Sequence, residues 1–455
     1  MDGRRRRKLP FWLFLLLLLA PAGGTQARVR QPNAEYQARR AKVRARLDGP
    51  VVIFGYTGRE ANLQDRTFFQ ENNFYYLTGH NEAGAALVLV PDPSNGKSVE
   101  GPREILFLPP RDPASERWNG TRLGPSDLGI EDTTGFAAVE SFATLRGELE
   151  KLGKVYPNLY TLLPSHSEEA NPEAATWLDW LKGILPQANF RDLASLLGAM
   201  RQIKSPGEIE LLQKAADISV DAHFAAMKMM RPGLREYQVA ARMEFVHKYE
   251  GCDREAYDPI VGAGFHSTQL HYNAGDTEIK DGDIIVMDVA GEYGGYAADI
   301  TRTLPANGKF SSRQREIYEI VFGAQNAALA ALKPGATFAH NAQNSISDIA
   351  FNYINSHGKD KDGHSLGRYF IHGLGHHVGL YVHDAGDPYR TLEPGMVVTI
   401  EPGIYIPEEN LGVRIEDEAL ITEDGYRLLT SRLPRTIEEI EKIMAEAQNK
   451  PLALP

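Results

Sequence analysis

The chain has 455 residues, 42% hydrophobic and 24% charged, which suits two or three domains of a globular protein that buries a full core. Formal net charge is −11; Arg4, Arg5, Arg6, Arg7 and Lys8 stand against Asp2 in the first 27 residues, so the remainder is close to −15. Phosphate backbones repel such a chain, which excludes nucleic acid as a partner. A single cysteine, Cys252, excludes an intrachain disulfide and a thiolate zinc site.

In chain order, RRRRK precedes a short apolar run, Phe11 to Ala20, then Pro21 and small residues up to Thr25-Gln26-Ala27. Residues 1–27 read as a signal peptide. Spanning a bilayer takes about 20 apolar residues, more than this run supplies. No stable membrane span is expected after cleavage, and the protein is expected to be exported, to the periplasm or the extracellular space. The lack of disulfides in an exported chain of this size fits a bacterial envelope.

Residues 28–195 read as one α/β unit. The apolar runs Ala85 to Val90 and Glu104 to Leu108 are expected as buried strands, and residues 168–185 as a helix. A linker is expected over 196–204. Ser205-Pro206-Gly207-Glu208 is a capping box with proline at the first helical position. Ile209, Leu212, Ala216, Val220 and Phe224 follow at helical spacing, and Arg231-Pro232-Gly233 stops the helix. Ser311 with Gln314 repeats the cap, and Lys333-Pro334-Gly335 repeats the stop. DGDIIVMD (281–288) resembles PGMVVTIE (394–401), with Gly282 matching Gly395 and Asp288 matching Glu401. Residues 205–445 are therefore expected to form one domain of two related halves, each a helix followed by a hairpin, with a C-terminal tail over 446–455.

The acidic ends of these strands carry the chemistry. If the first hairpin turns at Tyr293-Gly294, Asp288 and Asp299 face each other on one sheet face, with Cβ atoms about 4.5–5.5 Å apart. A buried carboxylate pair that close must share a proton or a cation. A turn around Glu408-Glu409 would oppose Glu401 and Glu416 in the same way. Four carboxylates, with an imidazole from HGLGHHVGLYVHD (372–384), make an oxygen-rich site suited to divalent Mn, Fe, Co or Zn. The donor count is enough for two ions about 3.5–4 Å apart with a bridging water. His357 and His364 lie in a polar loop and are expected to be exposed, and His266 is undecided. No HExxH helix occurs in the sequence, and its one GxSxG match, Gly363-His364-Ser365-Leu366-Gly367, lies in the polar loop that carries His364 with no apolar strand before it, so zincin and serine-hydrolase readings lack support.

HYNAGD (271–276), MDVAGEYGGYAADITRT (287–303), the histidine stretch, LEPGMVVTIEPGIYI (392–406) and VRIEDEALIT (413–422) resemble the pita-bread metallopeptidases, specifically the Xaa-Pro aminopeptidases (aminopeptidase P). Residues 68–91 and 109–124 resemble that family's creatinase-like N-terminal domain. The resemblance implies an α/β creatinase-like domain followed by an α+β pita-bread domain of two pseudo-symmetric helix-plus-hairpin halves. It implies five metal ligands: Asp288, Asp299, His376, Glu401 and Glu416. Asp299 and Glu416 would bridge two ions, Asp288 would hold one, and His376 with Glu401 the other. Manganese is the expected ion, with cobalt or zinc as alternatives.

The resemblance further implies that His383 and His271 contact the substrate and the tetrahedral intermediate, and that His372 lines the pocket for proline. Tyr405 and Arg414 would support the substrate site. His377 reads as a bland neighbour of the functional histidine; it departs from the family, where a bulky apolar or aromatic residue is frequent, a difference that would bear on the pocket if the side chain reached it. The implied reaction is hydrolysis of the bond between an N-terminal residue and proline by a metal-bridging hydroxide, with Glu401 as proton acceptor. The partners are then peptides with proline second, and a homo-oligomer is expected. A prolidase restricted to dipeptides would use the same ligands. A non-catalytic peptide-binding protein on this fold would be expected to have lost some of them.

Overall fold

The computed structural model describes residues 29–60, 68–92 and 100–448; the expected signal peptide lies outside them. Six strands form the sheet of the N-terminal unit: β1 (Val51–Phe54), β2 (Ala86–Leu89), β3 (Glu104–Leu108), β4 (Ala138–Ser141), β5 (Asn158–Thr161) and β6 (Asn189–Asp192), in the order β4-β3-β2-β1-β5-β6. Both expected strands, β2 and β3, are present. Apart from Glu104 at the start of β3, their runs are apolar because both sheet faces are covered. Val51, Ile53, Leu87 and Leu106 point one way, toward the second unit. Val52, Phe54, Val88 and Ile105 point the other way, onto Leu145, Leu149, Leu152 and Leu181.

Two segments differ from expectation. The helix expected over 168–185 is confined to Ala174–Ile184, because Pro172 disfavours helical geometry at the residue before it. That leaves residues 168–173 as a turn-rich segment beside the second unit. The expected linker, 196–204, is mostly helix, Ala194–Gln202. Arg201 at its end is buried, with Nη2 2.6 Å from Glu169 and 2.5 Å from Asp384. Of the expected tail, the first three residues complete the helix Ile437–Gln448.

The second unit begins as expected. Ser205 and Glu208 close a capping box on the helix Pro206–Met229, and Ser311 and Gln314 do the same for Ser312–Ala331. Each helix is followed by another, Glu236–Glu250 and Ile346–Ser356, and then by an antiparallel hairpin. Short β7 (Arg254–Glu255) and β8 (Ile260–Ala263) precede the first hairpin. It consists of β9 (Ile284–Asp288), β10 (Gly291–Tyr293), β11 (Tyr296–Ala297) and β12 (Thr301–Pro305). The second hairpin is β13 (Val397–Ile400), β14 (Gly403–Ile406), β15 (Leu411–Arg414) and β16 (Asp417–Ile421), with β17 (Tyr426–Leu428) alongside. Gly282 and Gly395 both take positive φ, 84° and 89°, so matched glycine turns launch β9 and β13.

The halves meet along β12. Glu416 N–H donates to Thr301 O at 3.1 Å, and Thr303 Oγ1 donates to Arg414 O at 2.8 Å. Behind the seam, Arg302 Nη2 donates to Asp417 Oδ1 at 2.7 Å, both side chains being fully buried. Among the described residues no helix is long and apolar enough to cross a membrane.

Candidate active site

Each hairpin ladder is interrupted once, and the carboxylates stand at the interruptions. β13 pairs with β16 through Ile400↔Asp417, and β14 with β15 through Gly403↔Arg414. The two registers are continuous and bring Glu401 opposite Glu416 in the gap, as expected from a turn at Glu408-Glu409. The first hairpin differs. Tyr293 pairs with Tyr296, and Asp288 pairs with Thr301 rather than Asp299. The turn falls on Gly294 and Gly295, which both have positive φ, 60° and 86°. A two-residue turn of type I′ needs that conformation at both central positions, and Tyr293 resists it. Moving the turn by one residue moves the partner by two, so Asp299 lies diagonal to Asp288 on the same face.

The histidine segment runs beside β13. Val378 N–H donates to Val397 O at 3.1 Å and Thr399 N–H to His376 O at 2.9 Å. The approach is so close that a Cβ on Gly375 would lie 2.0 Å from Thr399 O; glycine is required there. Successive residues of an extended segment face opposite ways. His376 therefore faces the carboxylates, with Nε2 3.3 Å from Asp299 Oδ2 and 3.5 Å from Glu401 Oε1. His377 faces inward, buried, and lines neither cavity described below, which agrees with its reading as a bland neighbour and leaves it no part in tuning the pocket.

All five expected ligands line one cavity of about 290 Å³, together with His271, His372, His383 and Arg414. Tyr405 does not line it. Its hydroxyl instead accepts from Arg414 Nη1 at 2.9 Å and donates to His372 Nε2 at 2.8 Å, while His372 Nδ1–H donates to Gly373 O at 2.8 Å. Burial pushes His372 down to about 4, consistent with this neutral tautomer. Arg414 also donates to Thr301 Oγ1 at 3.0 Å and from Nη2 to Asp288 Oδ2 at 2.6 Å. His383 stands edge-on to His376, ring centroids 4.5 Å apart. His266 is turned onto Glu236, 3.0 Å from Nδ1, and His357 and His364 are exposed as expected.

The electrostatics call for cations. Burial raises Asp288, Glu401 and Glu416 above the usual carboxylate range, Glu401 to about 7, and repulsion among the cluster adds to it. For His376, burial acts downward, but the hydrogen bond to Asp299 and the charge of Glu401 outweigh it and hold the ring up at about 9. His376 Nδ1–H donates to His377 O at 3.2 Å, which leaves Nε2 to face Asp299 and Glu401. Ligating atoms of Asp299, His376 and Glu416 all lie within 4.8 Å of one another. Hard oxygen donors with one imidazole, buried and mutually repelling, fit divalent ions. A second group among the described residues, Asp360, Asp362 and His364, is on a loop where Arg368 Nη2 already stands 2.6 Å from Asp360.

Four functional neighbours were not found from sequence. Tyr257 O–H donates to Asp288 Oδ1 at 2.6 Å, and Thr301 Oγ1–H to Glu416 Oε2 at 2.7 Å. Glu418 Oε1 accepts from Asp299 N–H at 2.9 Å. Glu168, from the N-terminal unit, accepts from His383 Nδ1–H at 3.0 Å. Glu418 had a signal: it stands two residues after Glu416 in a strand, hence on the same face. Tyr257 and Glu168 had none, since only the tertiary fold brings them here.

Two family models match: metallopeptidase family M24 over residues 210–423 and the aminopeptidase P N-terminal domain over 36–160. The Xaa-Pro aminopeptidase of Haemophilus influenzae is 37% identical over 444 residues, covering 91% of this chain and 97% of that protein. Xaa-Pro aminopeptidase 3 of Homo sapiens is 34% identical, covering 87% and 81%. A solved histidine-to-alanine variant of Escherichia coli aminopeptidase P superimposes with a TM-score of 0.82 at 30% identity, over 93% of this chain and 100% of that one. A creatinase-like domain followed by a pita-bread domain of two matched halves is thus the architecture here, and the chain belongs to the Xaa-Pro aminopeptidase family of M24 metallopeptidases.

Proposed function

We propose that the protein is a metal-dependent exopeptidase that hydrolyses the bond between an N-terminal residue and a following proline. The observation that carries this is the convergence of Asp288, Asp299, His376, Glu401 and Glu416, from two matched hairpins and the histidine segment, on one cavity. These five residues would hold two divalent ions, manganese first, with cobalt or zinc as substitutes. Bound ions of this kind lower the pKa of water so that hydroxide is available near neutral pH. Glu401, whose Oε1 stands 3.5 Å from His376 Nε2 among the ligands, would be the proton acceptor, acting as general base. His383 and His271 line both cavities of the site and would donate to the carbonyl oxygen as it gains charge. His372, fixed by Gly373 and Tyr405, offers its ring face to proline. Proline has no N–H to donate, so this wall needs no acceptor for it. Arg414 and Tyr405 hold Asp288 and His372 in place.

Export is part of the same proposal, supported by the basic and apolar run over residues 4–20, as is assembly into a homo-oligomer. The test is to assay the purified protein, metal content measured, on Xaa-Pro dipeptides beside longer Xaa-Pro-Yaa peptides, with Glu401→Ala as control. Release of the first residue from the longer peptides is expected. Cleavage of dipeptides alone would make it a prolidase, and undiminished turnover by the variant would remove Glu401 from the chemistry.

A further inference from the structure

The ion-binding cavity adjoins a second one of about 310 Å³. The two share His271, His383, Asp288 and Asp299 and diverge on either side of them. His372, Glu401 and Arg414 line only the first; Glu168, Tyr257 and Asp258 line only the second. On the function proposed above, on which this inference rests, proline lies toward His372. The residue on the other side of the scissile bond then extends into the second cavity.

Apart from His271 and His383, the charged side chains that line that cavity are all acidic. Asp288 and Asp299 belong to the cation-binding set, which leaves Glu168 and Asp258. Glu168 Oε2 accepts from His383 Nδ1 at 3.0 Å and from Tyr381 O–H at 3.4 Å, while Oε1 has no partner among the described residues. Asp258 is exposed and likewise has no hydrogen-bonding or ionic partner among them. No lysine or arginine lines the cavity among the described residues, whereas Ile260, Tyr381 and Val382 supply an apolar wall. A long side chain with an aliphatic stem and a cationic tip matches both features. We propose that this cavity receives the first residue of the substrate and favours lysine or arginine there, with Glu168 and Asp258 setting the preference. The N-terminal unit thereby acts in recognition, since Glu168 lies in its segment 168–173, next to the buried Arg201–Glu169 pair.

The test compares kcat/KM of the metal-loaded full chain on Arg-Pro-Gly, Leu-Pro-Gly and Glu-Pro-Gly, then on Asp258→Asn, Glu168→Gln and the double variant. The expected order is arginine, leucine, glutamate. Exposed ion pairs of this kind are worth up to roughly fivefold each, so the arginine-to-leucine ratio falls by about that factor in Asp258→Asn and further in the double variant. Added salt shrinks the ratio in the parent protein. Glu168→Gln also loosens His383 and lowers turnover on every peptide, so the ratio, not the rate, is the readout. An unchanged ratio in both Asp258→Asn and the double variant overturns the proposal. So does an equal loss on all three peptides in Asp258→Asn, which would assign that acid to the α-amine. A charge preference that follows the third residue, read with Leu-Pro-Arg, overturns it too, because the cavity would then hold the downstream chain. Failure to cleave any of these peptides would instead sink the peptidase reading itself.

Discussion

Replacing Tyr257 with phenylalanine removes one oxygen from the wall of the site and preserves the ring. That oxygen donates to Asp288 Oδ1 at 2.6 Å, and burial keeps the phenol protonated by raising it well above its ordinary value. Asp288 would retain only Arg414, whose Nη2 holds the other carboxylate oxygen at 2.6 Å. A hydrogen bond to a charged group contributes about 1.5–3 kcal/mol. At 1.36 kcal/mol per decade that is roughly 10- to 100-fold, the range typical of residues behind metal ligands. Titrating metal-free protein with Mn2+ by calorimetry should therefore show one site weakened by about that factor and the other nearly unaltered. Far-ultraviolet circular dichroism controls for folding. If both affinities stay within about twofold of the parent, the role assigned to Asp288 and its supporting phenol is wrong.

Two further outcomes follow from the same geometry. Glu401→Gln keeps an oxygen donor but no base, so kcat should fall by about 10²- to 10⁴-fold while metal content, read by elemental analysis, is largely retained. In metal-free protein, Glu401 is raised by burial from 4.5 to about 7, so its neutral form is the one the fold tolerates. Its contribution to stability is full below about pH 4.5 and is lost as pH rises through about 7, a loss of about 3 kcal/mol by linkage. EDTA-treated protein should accordingly melt lower at neutral to alkaline pH than in mild acid. EDTA-treated Glu401→Gln should show a smaller decline, and metal-replete protein should lack it.

What was legible in the sequence was what local chemistry fixes. Ser205 and Ser311 announce capped helices because a hydroxyl followed by Glu208 or Gln314 satisfies free N–H groups. Gly282 and Gly395 mark equivalent turns because only positive φ launches β9 and β13 there. The second hairpin was legible to the residue, while the first slipped because Tyr293-Gly294-Gly295 offers two turn positions and only the glycine pair accepts positive φ at both. Asp288 and Asp299 still shared a face, since a slip of two in the partner preserves the alternation. Contacts between units were not legible: nothing local to Glu168 foretells His383, and nothing in Glu255-Ala256-Tyr257 foretells Asp288. The helix Ala194–Gln202 carried a local signal that the expected linker passed over, Leu193, Leu197 and Met200 being buried at helical spacing; only the contacts of Arg201 with distant Glu169 and Asp384 were not legible.

The central claim is that two hairpins and one imidazole hold a pair of cations. Anomalous diffraction from crystals grown with excess Mn2+, recorded on both sides of the manganese edge, tests it directly. Two peaks are expected, both in contact with Asp299 and Glu416, one also with Asp288 and the other with His376 and Glu401. Well-ordered carboxylates with no peak between them, or a single peak ligated elsewhere, would contradict it.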